Sequence, residues 1–458
     1  MPGRLTSEWA PVMGRPGGGA RGRRCHNRSM ALRDRRRLAA LALVAALLAA
    51  CGSTPAPSAS SAATPPAPTA TSTVPTATPG PTLSNDQIVA AIEASVQQLR
   101  DLTRKSDVKQ EVLTPAQLTA KIQATFDQTN PPALVAANEQ VEKALGLFPQ
   151  DASLKDLYVQ LLSSQVAGLY DPDTKTMDVV SKSGQLGPIE QISYAHEFDH
   201  ALQDQNFGLN KLGLNDTSNS DRALARLSLP EGDATLLMSM WAQQNLSVGQ
   251  LLQMAAEASD PSQTAILNSM PDDLKETLLF PYQQGLNWVS NIQALGGWQA
   301  VDAAYATPPD STEQILHLDK WASHEKPIAV AIPASLPAKL GSGWTMPLTD
   351  TFGELQFRIW LEQAGKVDAT KAETAAAGWG GDRMALVEKG STFGIVMITK
   401  WDTTADATEF AAAAGPTLKL LPASTAMIDP GSTNQVVLFI ASDEATITAL
   451  AGALGLAG

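Results

Sequence analysis

His196-Glu197-Phe198-Asp199-His200, within the segment 188–205, is the stretch on which the reading of this chain turns. Pro188 suits the first turn of a helix, and Ile192, Ala195 and Leu202 supply one apolar face to bury. In a helix, residues four apart differ by only about 40° and one turn along the axis. His196 and His200 therefore point the same way, and both rings reach one ion. Neutral imidazole suits Zn²⁺, at about 2.0–2.1 Å. Glu197 lies about 100° round the helix from His196. It is badly placed to ligate with the histidines and well placed to take a proton from a water on the metal. The alternative is a chance match. Only five histidines occur in 458 residues, so two of them flanking a glutamate at this spacing argue for chemistry.

The surroundings extend that reading. Residues 166–170 and 176–180 flank Asp171-Pro172-Asp173-Thr174-Lys175 and read as a hairpin running into the helix. An edge strand such as 176–180 suits capture of an extended peptide by strand addition. A catalytic zinc needs a third protein ligand and one open position. The candidate is Glu231, in Leu229-Pro230-Glu231-Gly232-Asp233-Ala234, at the opening of a second helix. A glutamate in a first helical turn is also favoured by the helix dipole alone. Asp204 and Asp233 are candidates for orienting a ligand histidine, for replacing Glu231 as ligand, or for plain surface charge.

Several segments together carry a resemblance. They are the zinc motif with Ala201-Leu202-Gln203-Asp204-Gln205, then Glu231-Gly232-Asp233-Ala234, and Thr312-Glu313-Gln314-Ile315-Leu316-His317. Gly378-Trp379-Gly380-Gly381-Asp382-Arg383 and Trp401-Asp402 complete the set. Over residues 85–455 the chain resembles poorly characterised bacterial exported proteins with a zincin-like domain. Among zinc peptidases the pattern is similar to the gluzincins, whose third ligand is a Glu on a downstream helix. A metzincin would carry a histidine where Asn206 stands. The resemblance implies one Zn²⁺ per chain on His196, His200 and Glu231, with Glu197 as base and a peptide or protein as substrate. Pro230 departs from that set and bears on where the helix starts and where Glu231 aims.

Further candidates carry less. His317 suits an oxyanion donor beside the metal, and Asp310-x-x-Glu313 equally reads as a helix cap with His317 at the helix end. Tyr282 is a candidate for a similar catalytic or binding role. The glycines of 378–383 read as a tight turn into a strand or as part of a binding site, with Asp382 and Arg383 as a structural pair.

The ends and the composition bound the setting. Arg33, Arg35, Arg36 and Arg37 precede an apolar run at 38–50, too short to span a membrane and right for an export signal. Leu48-Ala49-Ala50-Cys51-Gly52 resembles the bacterial lipobox, which implies cleavage before Cys51 and acylation of its thiol; a plain signal peptide is the alternative. Met30 is a candidate start. Cys25 and Cys51 are the only cysteines, so a mature chain has no disulfide and no thiol ligand to spare. Arginines are concentrated in 1–50, which leaves the remainder more acidic than the overall net charge of −13. That argues against nucleic acid as a partner.

The expected organisation is an export segment at 1–50 and a Pro/Ser/Thr/Ala tether at 51–83. An α-rich zincin-like domain with a small hairpin or sheet follows at 84–335, then a smaller α+β domain at 336–458. The fold class is α+β. In the last part, 384–388 and 393–400 read as a hairpin, 404–413 as a helix, 435–441 as a strand and 443–454 as a helix. The expected activity is peptide-bond hydrolysis on the extracellular face of the cytoplasmic membrane. Two rivals stand beside it: a lipid-anchored peptide- or protein-binding protein without turnover, and a zinc-stabilised structural module. Glu197 favours the enzyme, since a structural site takes four protein ligands and no base.

Overall fold

The computed structural model describes residues 83–165, 168–180, 184–258 and 261–456. The export segment, Cys51, the tether and Val166 lie outside the described residues. The fold is mixed α+β, and its elements follow from local signals. Ser84 and Gln87 form a reciprocal capping box that starts α1 (Asn85–Arg100). A second box, Thr114 with Gln117, starts α2 (Pro115–Thr129), with Pro115 at its first position. Helices α3 (Pro132–Ala144) and α4 (Leu154–Gln165) complete the entry to the small sheet.

That sheet has three strands: β1 (Lys109–Leu113), β2 (Gly168–Asp171) and β3 (Thr176–Val180), in the order β1-β3-β2. The expected hairpin forms β2 and β3, antiparallel. Strand β1 was not expected, and it pairs with β3 in parallel. This corrects one expectation: Thr176–Val180 is the central strand, not an edge. The reason for the miss is local. Lys109, Gln110 and Glu111 are polar and Val112 is 72% exposed, so β1 carries no alternating apolar signal. Its pairing comes from the partner strand.

Helix α5 (Pro188–Phe207) carries the His-Glu-x-x-His segment and ends at Gly208 in the left-handed conformation. The expected apolar face is there, with Ile192, Ala195 and Leu202 all buried, but so is every residue from Ser193 to Asp204. A helix buried on all sides must satisfy its polar side chains inside the protein. Helix α6 (Ser220–Asn245) is capped by Asn219, whose side chain accepts from the Arg222 amide at 2.8 Å. Pro230 and Glu231 lie well inside it. Glu231 therefore does not open a helix, and the dipole explanation for it does not apply.

Helices α7 (Val248–Ala258) and α8 (Pro261–Ser269) lead to the long α9 (Asp272–Ala304). Helices α6 and α9 cross backbone to backbone. A Cβ on Gly232 would lie 2.2 Å from the Gly285 carbonyl oxygen, and one on Gly285 would lie 2.4 Å from that of Ser228. Glycine at both positions is what permits this approach. Behind the crossing, Arg100 donates to both carboxylate oxygens of Asp233 (2.7 and 2.9 Å) and to Asp302 (2.7 Å), and lies over the Trp298 ring at 4.4 Å. Tyr305 also donates to Asp233, at 2.8 Å. This buried fork ties α1, α6 and α9 together.

Two short helices, α10 (Thr312–Leu316) and α11 (Leu318–Ala322), and α12 (Leu336–Leu340) connect to a second sheet. Its strands are β4 (Thr345–Asp350), β5 (Trp379–Lys389), β6 (Thr392–Trp401), β7 (Ser424–Ile428) and β8 (Gln435–Ala441), antiparallel in the order β4-β5-β6-β8-β7. Helices α13 (Gly353–Gln363), α15 (Thr404–Leu418) and α16 (Glu444–Leu454) pack on it, and α14 (Ala369–Ala376) packs on α13 and α15. The hairpin, the 404–413 helix, the 435–441 strand and the last helix all stand where the sequence put them. One continuous apolar core runs from Leu118, Phe126 and Trp288 to Phe357, Trp360, Trp379 and Trp401. It passes without a break through the expected boundary near residue 335.

Candidate metal centre

The site is assembled where α5, α6 and β2 meet. His196 and His200 project from successive turns of α5, with their Nε2 atoms 3.0 Å apart. Glu231 approaches from α6, its Oε2 3.3 Å from each of those nitrogens. All three residues are buried. Four ligands around zinc at about 2.0–2.1 Å would stand about 3.3–3.4 Å apart. A donor triangle with edges of 3.0, 3.3 and 3.3 Å fits that requirement, and so does its chemistry of two imidazoles and one carboxylate.

Electrostatics point the same way. Burial works against charge on both histidines. For His196 it wins, and the ring is held below its usual range. For His200 the adjacent Glu231 and Glu197 carboxylates outweigh it and push the ring up to about 10. Burial likewise opposes charge on Glu231, but His200 and His196 hold it below the usual carboxylate range. The triangle thus favours a positive charge at its centre, which a proton or a divalent cation can supply.

Gln203, one turn after His200, fixes the ring. Its amide nitrogen donates to Asp199 Oδ2 (2.8 Å) and to the Pro230 carbonyl (3.1 Å), which leaves its oxygen facing His200 Nδ1 at 2.9 Å. In the neutral ring Nδ1 then carries the proton, and Nε2 presents a lone pair to the centre of the triangle. Burial and the charge of Asp233 push Asp199 itself up to about 8.

Glu197 sits on the same helix and turns toward the sheet. Its Oε2 accepts the Tyr170 amide of β2 at 2.7 Å. Gly168, two residues before, leaves the space it occupies: a Cβ there would stand 2.9 Å from Glu197 Cγ. Burial, offset in part by His200 and reinforced by Glu231, pushes Glu197 up to about 8. Gln203, Tyr170 and Gly168 were missed as contributors to the site. Only the glycine in a strand was a local signal, of close backbone approach.

The remaining candidates fall in different places. Tyr282 is buried against the site, its ring stacked on His196 at 6.3 Å between centroids. His317 is held by Glu354, with Nε2 2.9 Å from Oε1, and belongs to the α10–α13 contact rather than to the triangle. That carboxylate raises the His317 pKa. Asp204 accepts from the Tyr170 hydroxyl (2.9 Å) and from Lys175, and so pins the hairpin to α5. Asp233 serves the Arg100 fork and touches neither histidine.

Asp382 and Arg383 do not pair with each other. Asp382 accepts the Phe352 and Gly353 amides (2.9 and 2.8 Å) and the Trp379 indole N–H (3.0 Å). It thereby caps α13. Arg383 donates to the Ser218 carbonyl and to Thr349. Gly381 lies so close to residue 328 that a Cβ would meet the Ile328 carbonyl oxygen at 2.2 Å. The 378–383 segment is accounted for by packing. A second gathering of acids, Glu313, Glu325 and Asp402, already encloses a cation: Lys320 donates to Glu313 (2.5 Å) and Asp402 (2.6 Å) and pairs with Glu325 (3.1 Å).

Residues 343–451 match a family described as a domain of unknown function, DUF8575. That stretch covers the five-stranded sheet and most of its helices, and includes none of His196, Glu197, His200 and Glu231. No curated protein and no solved structure matches the chain.

Proposed function

We propose that this protein is an extracytoplasmic, lipid-anchored zinc metallopeptidase of the gluzincin type. The observation that carries the reading is the convergence of His196, His200 and Glu231 within 3.3 Å of one another, with Glu197 on the same helix. A zinc ion bound there would polarise a peptide carbonyl and lower the pKa of a water. Glu197 takes the proton of the attacking water and returns it to the leaving amine. Tyr170 orients Glu197 through its amide, and Gln203 holds the His200 tautomer. The buried surroundings exclude bulk water, which strengthens each of these interactions. Strand addition does not support the peptide substrate, because β3 is central and β2 is buried with its Tyr170 N–H given to Glu197; the peptide reading rests on the metal triangle with a carboxylate base beside it.

Metal analysis tests the ligand set. The purified protein is expected to hold about one zinc per chain, and His200→Ala and Glu231→Ala each to lower that occupancy at least ten-fold at limiting zinc. Full occupancy in Glu231→Ala would remove Glu231 from the site. For the anchor, Cys51→Ser is expected to shift the protein from the membrane fraction to the soluble one, or to leave the signal uncleaved. A processed Cys51→Ser protein that still sediments with membranes would overturn the lipid attachment.

A further inference from the structure

Away from the metal centre, α2, α3, the start of α6 and the start of α9 enclose a cavity of about 290 Å³. None of His196, Glu197, His200 and Glu231 lines it. Its walls combine apolar side chains, among them Phe126, Val141, Phe148, Leu227 and Leu274, with four carboxylates: Glu142, Asp221, Asp273 and Asp350. Among the described residues no lysine, arginine or histidine lines it.

Two of the acids are accounted for. Asp350 accepts the Ser220 amide and hydroxyl, and Asp221 accepts the Thr312 amide and hydroxyl. The others are not. Glu142 Oε2, Asp273 Oδ1 and the Gln356 side-chain oxygen are buried with no hydrogen-bond partner among the described residues. Asp273 is only 6% exposed. All three atoms are acceptors, and a buried acceptor without a donor is costly, the more so when charged. Among the described residues no cationic side chain lines the cavity, and the amide N–H donors of its wall are given elsewhere: Asn130 to Phe126 and Thr129, Asn138 to Leu134, and Gln356 to Thr277.

A bare metal ion does not answer this. Among the described residues, these carboxylates do not gather three ligand atoms within 4.8 Å of one another, as the metal triangle does. The donors must come from a body large enough to reach dispersed acceptors and apolar enough to match the walls. A primary ammonium brings three N–H donors and one charge.

We propose that this cavity is a binding site for a small organic amine, its ammonium group or groups donating to Glu142, Asp273 and Gln356 and its carbon frame lying on the apolar wall. The carboxyls are poised accordingly. Burial, with the charges of Asp273 and Asp350, raises Glu142 well above its usual range, and burial with the charge of Glu276 pushes Asp273 up to about 7.

The test is a thermal-shift and calorimetric titration of the full-length purified protein. The probes are phenethylamine and 1,4-diaminobutane, and their neutral counterparts are phenethyl alcohol and 1,4-butanediol. At least one amine is expected to raise the melting temperature with dose while its alcohol does not. Glu142→Gln and Asp273→Asn are each expected to weaken that amine by about ten- to a hundred-fold, the loss of one charge-assisted hydrogen bond. Without ligand, both variants should melt at or above the wild-type temperature, because each removes an unpaired buried acid. No shift with either amine, an equal shift with the alcohols, or undiminished amine binding by both variants would overturn the assignment. The wild-type comparison of amine with alcohol decides even if a variant fails to fold.

Discussion

Replacing Glu197 with glutamine is expected to leave the metal bound and the fold intact while lowering peptide hydrolysis by about 10²–10⁴-fold, the usual contribution of a general base. Glu197 stands outside the donor triangle, so the change leaves His196, His200 and Glu231 untouched. The glutamine is nearly isosteric, and its amide oxygen can still accept the Tyr170 N–H that Glu197 takes at 2.7 Å. What it cannot do is accept a proton. The measurement is cleavage of an unbiased peptide library by wild type and variant at matched zinc content. Equal cleavage by the two would identify a contaminating protease. Absence of cleavage by zinc-loaded wild type would favour the peptide-binding reading over the enzyme.

The second large effect is expected at the helix crossing, at a residue with no side chain of its own. Gly232→Ala places a methyl group 2.2 Å from the Gly285 carbonyl oxygen and 2.3 Å from its carbon. Both are backbone atoms in the middle of α9, so no side chain can swing aside. The helices must separate, at a cost toward the upper end of the about 1–3 kcal/mol typical of overpacking, or beyond it. Glu231 precedes Gly232 directly, and Tyr282 lies on the facing turn of α9. Separation therefore widens the donor triangle, and zinc affinity should fall together with the melting temperature. Gly452→Ala is the control. It is helical, with nothing within 4 Å of the added atom, and should be neutral or slightly stabilising. Unchanged stability and zinc binding in Gly232→Ala would show that the crossing is not what holds the site.

Much of this was legible locally. A capping box needs only Ser84 and Gln87, and a hairpin only two apolar runs with a turn between them. A strand such as Gln435–Ala441 announces itself by an unbroken apolar stretch. The spacing of His196 and His200 dictates a shared face because helix geometry is fixed. Other features had no local signal. Strand β1 is polar and exposed, and it is a strand because β3 offers its edge. Pro230 looked like a helix start because proline is disfavoured in helix interiors, yet α6 continues through it under the hold of its packing against α9.

The sequence by itself determined the candidate donor set and the fold class: two imidazoles and a carboxylate on one helix, a glutamate downstream, and an α+β chain behind a segment that reads as an export signal. Those conclusions rest on short-range geometry and composition, which the chain carries wherever it goes. Only the tertiary structure decided which downstream acid joins the histidines, because Glu231, Asp233 and Asp204 are chemically alike and differ in where α6 and α5 turn them. Glu231 faces the histidines, Asp233 faces Arg100, and Asp204 faces the hairpin. That choice depends on the helix crossing at Gly232 and Gly285 and on the burial around it. Both are made by residues distant in sequence, and no spacing rule encodes them.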